Sequence, residues 1–265
     1  MRLRLFVIIM AKTICLAQSK GGTSKTSSVL NISACLIQQG YKVLAIDIDM
    51  QANLTSGLGV DPTQLERSMY ALMTDQATTA ADILVHTQEE IDLLPANLDL
   101  SIVELAVKEI MGREKILARK IRPLLPHYDF VLIDTPPSFA LTTLNALTAA
   151  DYLLSPVQPE PFCLTGMRNL VHTYDLVREN SNPNLEILGI FITMYDSRLS
   201  AHREIAEIIR RDWGDRAFEA VIRRRSNLMD STAEGRSIIK SRPSSDLAQD
   251  YQLLTKEILS RVQKQ

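Results

Sequence analysis

Eight consecutive residues, Lys20-Gly21-Gly22-Thr23-Ser24-Lys25-Thr26-Ser27, bring glycine, lysine and hydroxyl side chains together at a spacing that suits a polyphosphate. Glycine lets successive backbone N–H groups converge on an anion, and a helix starting there adds its dipole. In such a loop Lys25 reaches the β- and γ-phosphates and the Thr26 hydroxyl holds Mg²⁺. The common pattern has glycine immediately before that lysine; here the position is Ser24.

Carboxylates stand in complementary places. Phe130-Val131-Leu132-Ile133 is an apolar run ending in Asp134, an acid at a strand's C-terminal end, where phosphoryl-transfer sites hold the water shell of Mg²⁺. Thr135-Pro136-Pro137 then imposes a rigid, extended exit. Asp47 and Asp49 close another apolar run, expected to neighbour the first strand so that carboxylates from two strand ends converge on one loop. A lone acid at a strand end is usually a cap or turn residue. Loop and strand-end acids in this order point instead to nucleotide chemistry.

These groups need a frame. Residues 13–17 read as a strand before the glycine loop, and 27–39 show helical spacing through Val29, Leu30, Ile32 and Leu36, closed by Gly40. Residues 42–48 form a continuous apolar run, as expected of a strand buried on both faces, so a parallel βαβ unit follows. The alternation predicts helices at 79–86, at 98–125 with a break near Gly112, and at 165–180, 201–212 and 246–262, with strands at 91–94, 130–133, 152–156 and 187–193. Without a repeat or a Pro/Gly/Ser-rich linker, residues 1–265 are expected to form one α/β domain with a doubly wound, mostly parallel sheet.

Composition excludes other classes. Apolar residues at 46% and charged residues at 23% rule out a disordered or collagen-like chain. With 29 Lys and Arg against 31 Asp and Glu the net charge is −2, so any nucleic-acid binding must come from a local patch. Cys15, Cys35 and Cys163 are odd in number and widely spaced, which suits a reducing compartment, the cytoplasm, better than a disulfide framework. Residues 1–10, MRLRLFVIIM, begin like a signal peptide; Arg4 interrupts them and no small-residue cleavage region follows, so export is not expected. Residues 1–9 read either as an extension or as a lead-in to the first strand. No apolar run reaches the roughly 18 residues of a membrane span.

With these segments assembled, the chain resembles the ParA/Soj-type ATPases, P-loop NTPases with a deviant Walker A motif, over nearly its whole length. The extra lysine before the paired glycines is Lys20. Residues 47–53 with 54–59 are similar to the family's first switch and 133–138 to its second, while 156–160 and 193–198 match later landmarks. Ser24 departs from the pattern, as does Met50, where a proline usually follows the second aspartate; neither change removes a charge. The resemblance implies ATP and Mg²⁺ as cofactors, with nucleotide contacts at Lys20, Gly21, Gly22, Ser24, Lys25, Thr26, Ser27, Met194 and Arg223, and metal held by Thr26 and, through water, Asp134. It further implies that Lys25 serves its own subunit, that Lys20 crosses the two-fold interface of an ATP-sandwich homodimer, and that Asp49 orients the attacking water. Hydrolysis is then slow and stimulated by a partner, a ParB-like or cargo-adaptor protein.

Between Ile222 and Pro243, five arginines and one lysine face Asp230 and Glu234. On charge alone this is either a phosphate-contacting patch or a solvated loop. The resemblance aligns it with a segment implicated in non-specific DNA binding, which nominates Arg224, Arg225, Arg236, Lys240 and Arg242 as phosphate contacts. It also puts the turn at residues 223–225 near the adenine. The implied role is partition or positioning of a plasmid, a chromosome or a protein cargo such as carboxysomes over the nucleoid. No helix-turn-helix precedes the loop, so operator-specific repression is not expected. A MinD-like membrane ATPase would share the nucleotide motifs and add an amphipathic membrane helix; residues 249–265 are amphipathic but read better as a helix packed on the sheet. An iron-protein-like reductase lacks its cluster cysteines, and a biosynthetic ligase would need a substrate pocket that no motif marks.

Overall fold

The computed structural model describes residues 11–161, 163–224 and 235–264. Strands β1 (Lys12–Leu16), β2 (Val43–Asp47) and β5 (Phe130–Asp134) form the centre of an eight-stranded sheet. The short β3 (Val85–His86) and β4 (Asp92–Leu94) extend it on one side, and β6 (Tyr152–Val157), β7 (Glu186–Tyr195) and β8 (Ala217–Arg223) on the other. The order is β3-β4-β2-β5-β1-β6-β7-β8, and every pairing is parallel except β3 with β4.

This order corrects one expectation. β2 does not neighbour β1, because β5 lies between them. The three runs are equally apolar, so hydrophobicity cannot rank them. The inserted strand is the one ending in Asp134, and registration with both neighbours sets Asp134 beside Leu16 on one side and beside Asp47 on the other. Two carboxylates therefore end adjacent strands.

Alternate residues of the central strands feed opposite apolar layers, as the period of two requires. Cys15, Leu44, Ile46, Val131 and Ile133 join the layer completed by α3 (Met69–Thr74), α5 (Ile116–Ile121), α6 (Leu141–Ala149) and α7 (Cys163–Asn180). Ile14, Leu16, Val43, Ala45 and Leu132 join the layer under α1 (Lys25–Gln38) and the last helix, α10 (Asp246–Lys264). Leu247, Ala248, Tyr251, Leu254 and Ile258 of α10 are buried in that layer, and among the described residues no helix is long and apolar enough to cross a membrane. Among the described residues the remaining α-helices are α2 (Asn53–Gly57), α4 (Val103–Ala106), α8 (Ser200–Trp213) and α9 (Ile238–Ser241).

Two predicted helices are much shorter than expected. Within 79–86 only Ala80–Ile83 is helical, a single 3₁₀ turn opened by a reciprocal Thr79–Asp82 cap, after which the chain extends to pair with β4. Within 98–125 the chain makes a series of one-turn segments; Gly112, at φ +67°, breaks it at the expected place. Apolar residues at helical spacing are equally served by short turns packed on a sheet.

Candidate functional site

Two left-handed residues shape the loop after β1. Gly22 has φ +73°, which costs glycine nothing; Ser24 has φ +59°, a region that costs any other L-residue about 1–2 kcal/mol. The turn lets Ser24 O accept the Ser28 amide at 2.9 Å, so α1 starts at Lys25 with its first-turn amides facing the loop.

Behind the loop lies a buried, charged cluster. Lys25 Nζ donates to Gln18 O at 3.1 Å. Burial lowers its pKa, opposed by the charges of Asp134 and Asp49. Asp134 is fully buried; its Oδ2 accepts from Thr26 Oγ1 at 2.6 Å, and its Oδ1 has no partner among the described residues. Burial first, and the charge of Asp47 second, hold the Asp134 carboxyl well above the ordinary carboxylate range. A carboxylate oxygen without a partner, beside a hydroxyl and short of solvent, is the donor set a hard divalent cation takes with water and phosphate oxygens. Among the described residues no group of three or more His, Cys, Asp or Glu could make a cage of protein ligands alone.

Asp47 fixes the segment that follows β2. Its Oδ2 accepts from Thr55 N at 2.9 Å and Thr55 Oγ1 at 2.8 Å, and its Oδ1 from Asp49 N at 3.1 Å. Burial nevertheless pushes its pKa up to about 6, against those hydrogen bonds. The ring so closed leaves Asp49 at the mouth of a cavity of about 640 Å³. Its walls are residues 21–27, then Asp49, Gln51, Asn53, Ser56 and Gly57, then Thr135 and Pro137, and Met194 on the far side.

The predicted Gly21, Gly22, Ser24, Lys25, Thr26, Ser27, Asp49 and Met194 thus share one cavity, with Asp134 directly behind Thr26. Lys20 and Arg223 do not line it. The Lys20 ammonium is ion-paired with Glu160, which follows β6, and both groups are about two-fifths exposed. The Arg223 guanidinium turns to α10, where Nη2 and Nε meet Asp250 at 2.8 Å and 3.0 Å. Gln51, Asn53 and Ser56 were not singled out from the sequence, and only the first switch-like segment pointed to them; Thr135 and Pro137 were read there as a rigid exit from the strand, not as cavity wall.

The basic segment divides. Arg224 and Arg236 are exposed. Lys240 Nζ is held by Gln88 O at 3.0 Å and Glu90 at 3.4 Å. Arg225, Asp230 and Glu234 lie outside the described residues. The stretch from Gly235 is anchored to Gly59, to Asn31 of α1 and to Glu89 before β4. A Cβ on Gly235 would stand 3.1 Å from Gly59 Cα, Ser237 Oγ donates to the buried Glu89 at 2.6 Å, and Ile238 N donates to Asn31 Oδ1 at 2.8 Å. Asn31 in turn donates to Ser27 O at 2.8 Å.

Known proteins resemble this chain over most of its length. The family described as an AAA domain matches residues 11–187. The chromosome-partitioning ATPase Soj of Thermus thermophilus is 38% identical over 96% of this chain and 97% of its own. The sporulation initiation inhibitor protein Soj of Bacillus subtilis is 36% identical over 94% and 98%. A crystal structure of cobyrinic acid a,c-diamide synthase from Mycobacterium smegmatis with bound ADP and magnesium superposes with a TM-score of 0.83 at 32% identity, covering 96% of each chain.

Proposed function

The chain belongs to the ParA/Soj family of partitioning ATPases, using ATP with magnesium, and from that premise we propose that it is a single-domain, DNA-bound positioning switch. Two copies sandwich ATP, the dimer binds non-specific DNA of the nucleoid in the cytoplasm, and a ParB-like or cargo-adaptor protein triggers hydrolysis. The observation that carries the nucleotide half is Asp134, with one oxygen on the Thr26 hydroxyl and the other without a partner, behind a left-handed glycine loop.

In this reading the amides of residues 21–27 and the Lys25 ammonium bind the phosphates, and Thr26 and, through water, Asp134 hold Mg²⁺. The metal neutralises charge on the phosphates. Asp49, its Oδ1 on the Gln51 amide at 3.0 Å, orients the attacking water. One carboxylate alone makes a weak device for that step, so hydrolysis is slow until a partner adds to it. Lys20 acts across the dimer, and its ion pair with Glu160 must open first; two groups this exposed hold each other by at most about 1 kcal/mol.

The DNA half is supported by the exposed Arg224 and Arg236, with Lys240 and Arg242 alongside and Arg225 outside the described residues. Arg223 is withdrawn from both DNA and adenine by Asp250. A MinD-like membrane role is disfavoured by α10, whose apolar residues are spent on the core, leaving Leu253 as its exposed large one. The synthase activity named for the Mycobacterium smegmatis protein finds no separate support in the residues around the cavity.

Light scattering and phosphate release test the switch. Mg·ATP is expected to convert parent protein to a dimer, and Lys20→Ala to abolish partner-stimulated hydrolysis. An Asp49→Ala protein that stays monomeric at saturating ATP sinks the sandwich.

A further inference from the structure

We propose that the Ser24 hydroxyl is a direct ligand of the nucleotide phosphates, a contact this chain adds at a position where the usual loop has glycine. The proposal rests on the nucleotide reading of the cavity and goes beyond backbone binding by the loop. Ser24 lines the cavity next to Lys25 and Thr26. Its Oγ exposes less than 1 Å² in the free protein and has no hydrogen-bond partner among the described residues, although the residue as a whole is only half-buried, so the phosphates reach it only as the loop adjusts around them. Its backbone sits at φ +59°, where glycine would be unstrained. The free protein therefore carries two penalties at one residue, a left-handed L-residue and an unsatisfied hydroxyl. Strain held at the wall of a site is explained when the ligand uses the group that causes it. A phosphate oxygen is an acceptor for a hydroxyl donor, and such charge-assisted hydrogen bonds are the strong ones.

Two substitutions separate the penalties. Ser24→Ala removes the hydroxyl and keeps the strain, whereas Ser24→Gly removes both. Titration calorimetry with Mg·ATP is expected to give affinities roughly tenfold or more below the parent's for both variants. Urea unfolding without nucleotide is expected to give a higher midpoint for Ser24→Gly than for the parent. Ser24→Ala with the parent's affinity overturns the contact, and Ser24→Gly with a midpoint at or below the parent's overturns the strain behind it. A parent that fails to bind Mg·ATP overturns the cavity reading and this contact with it.

A different set of contacts carries a second inference, which rests on the DNA reading for its consequence. We infer that the strip bearing Arg236 senses nucleotide within one subunit, through Asn31 and the Gly59–Gly235 contact. Asn31 joins Ser27 O, in the phosphate loop's own helix, to the first amide of α9. Gly59 follows α2, whose Ser56 and Gly57 line the cavity, and a Cβ on Gly235 would stand 3.1 Å from Gly59 Cα, so the two backbones pack closely there. Arg236 sits between that contact and the Ser237–Glu89 bond, so movement of α1 or α2 carries it along.

Hydrogen exchange on the full chain with Mg·ADP is expected to slow the amides of 235–242 on the order of tenfold, and Asn31→Ala to remove that response. Unchanged exchange in the parent overturns the linkage, as does a response in Asn31→Ala equal to the parent's. A normal exchange response from a protein that ignores DNA supports the linkage and overturns the DNA reading instead.

Discussion

The cavity at the sheet's C-terminal end and the basic segment between β8 and α10 are both sites for phosphate groups, and they are built in opposite ways. At and behind the cavity the charges are fixed by burial: Lys25, Asp49, Asp47 and Asp134 are under one-tenth exposed and hydrogen-bonded to named partners. In the basic segment exposure decides which cations are available, and among the described residues Arg223 and Lys240 are held by protein carboxylates. A buried site spends stability to hold charges ready for a ligand, whereas a surface site spends almost none and competes with its own acidic neighbours.

The sharpest way to break this contrast is at Asp49. Asp49→Ala is expected to retain ATP while hydrolysis falls by roughly 10²–10³-fold, since the group acts in the transition state. Loss of nucleotide binding in a calorimetric titration would make Asp49 a structural residue like Asp47. At the surface site, Arg224→Ala with Arg236→Ala is expected to weaken binding to all DNA sequences alike, roughly tenfold, and to flatten the slope of log K against log salt by about 2 per subunit. An unchanged salt slope in a fluorescence-anisotropy titration moves the DNA site elsewhere.

Arg223→Ala sharpens the division within the basic segment. It is expected to leave DNA affinity nearly intact and to cost about 1–2 kcal/mol of stability in urea unfolding, because the buried Asp250 loses its guanidinium and keeps the amide of residue 223; solvent at Arg223 keeps the figure low. A further test concerns pH. Asp47 has a pKa raised from 3.8 to about 6 in the folded protein, so the fold binds more protons than the unfolded chain between those values. Its contribution to stability therefore falls as pH rises through that window. Parent minus Asp47→Asn stability, measured without nucleotide from pH 4 to 7, is expected to decline accordingly; a flat difference would mean that Thr55 and the Asp49 amide fully compensate the burial.

Much of the cavity was legible because its parts are consecutive residues. A glycine-lysine-hydroxyl loop between an apolar run and a helical one suits a polyphosphate, and Asp134 and Asp49 close apolar runs whose ends the sheet brings to the same side. The wall residues Gln51, Asn53 and Ser56 were not legible, since polar side chains after a strand carry no mark of where the chain turns next. The short helices within 98–125 were lost for a related reason: periodicity reports which residues face a core, not how many turns lie between breaks.

What the sequence determined by itself is local: the phosphate loop, the strand-end acids, the alternation of strands and helices, and an amphipathic last helix. Tertiary structure alone decided that β5 enters between β1 and β2, which sets Asp134 beside Asp47, and that Lys20 meets Glu160 across 140 residues. It also decided that Arg223 belongs to α10 and that Gly235 rests on Gly59. Propensity and patterning act over a few residues. Strand order, ion-pair choice and close backbone contact depend on groups far apart in the chain, which meet only when the sheet is assembled.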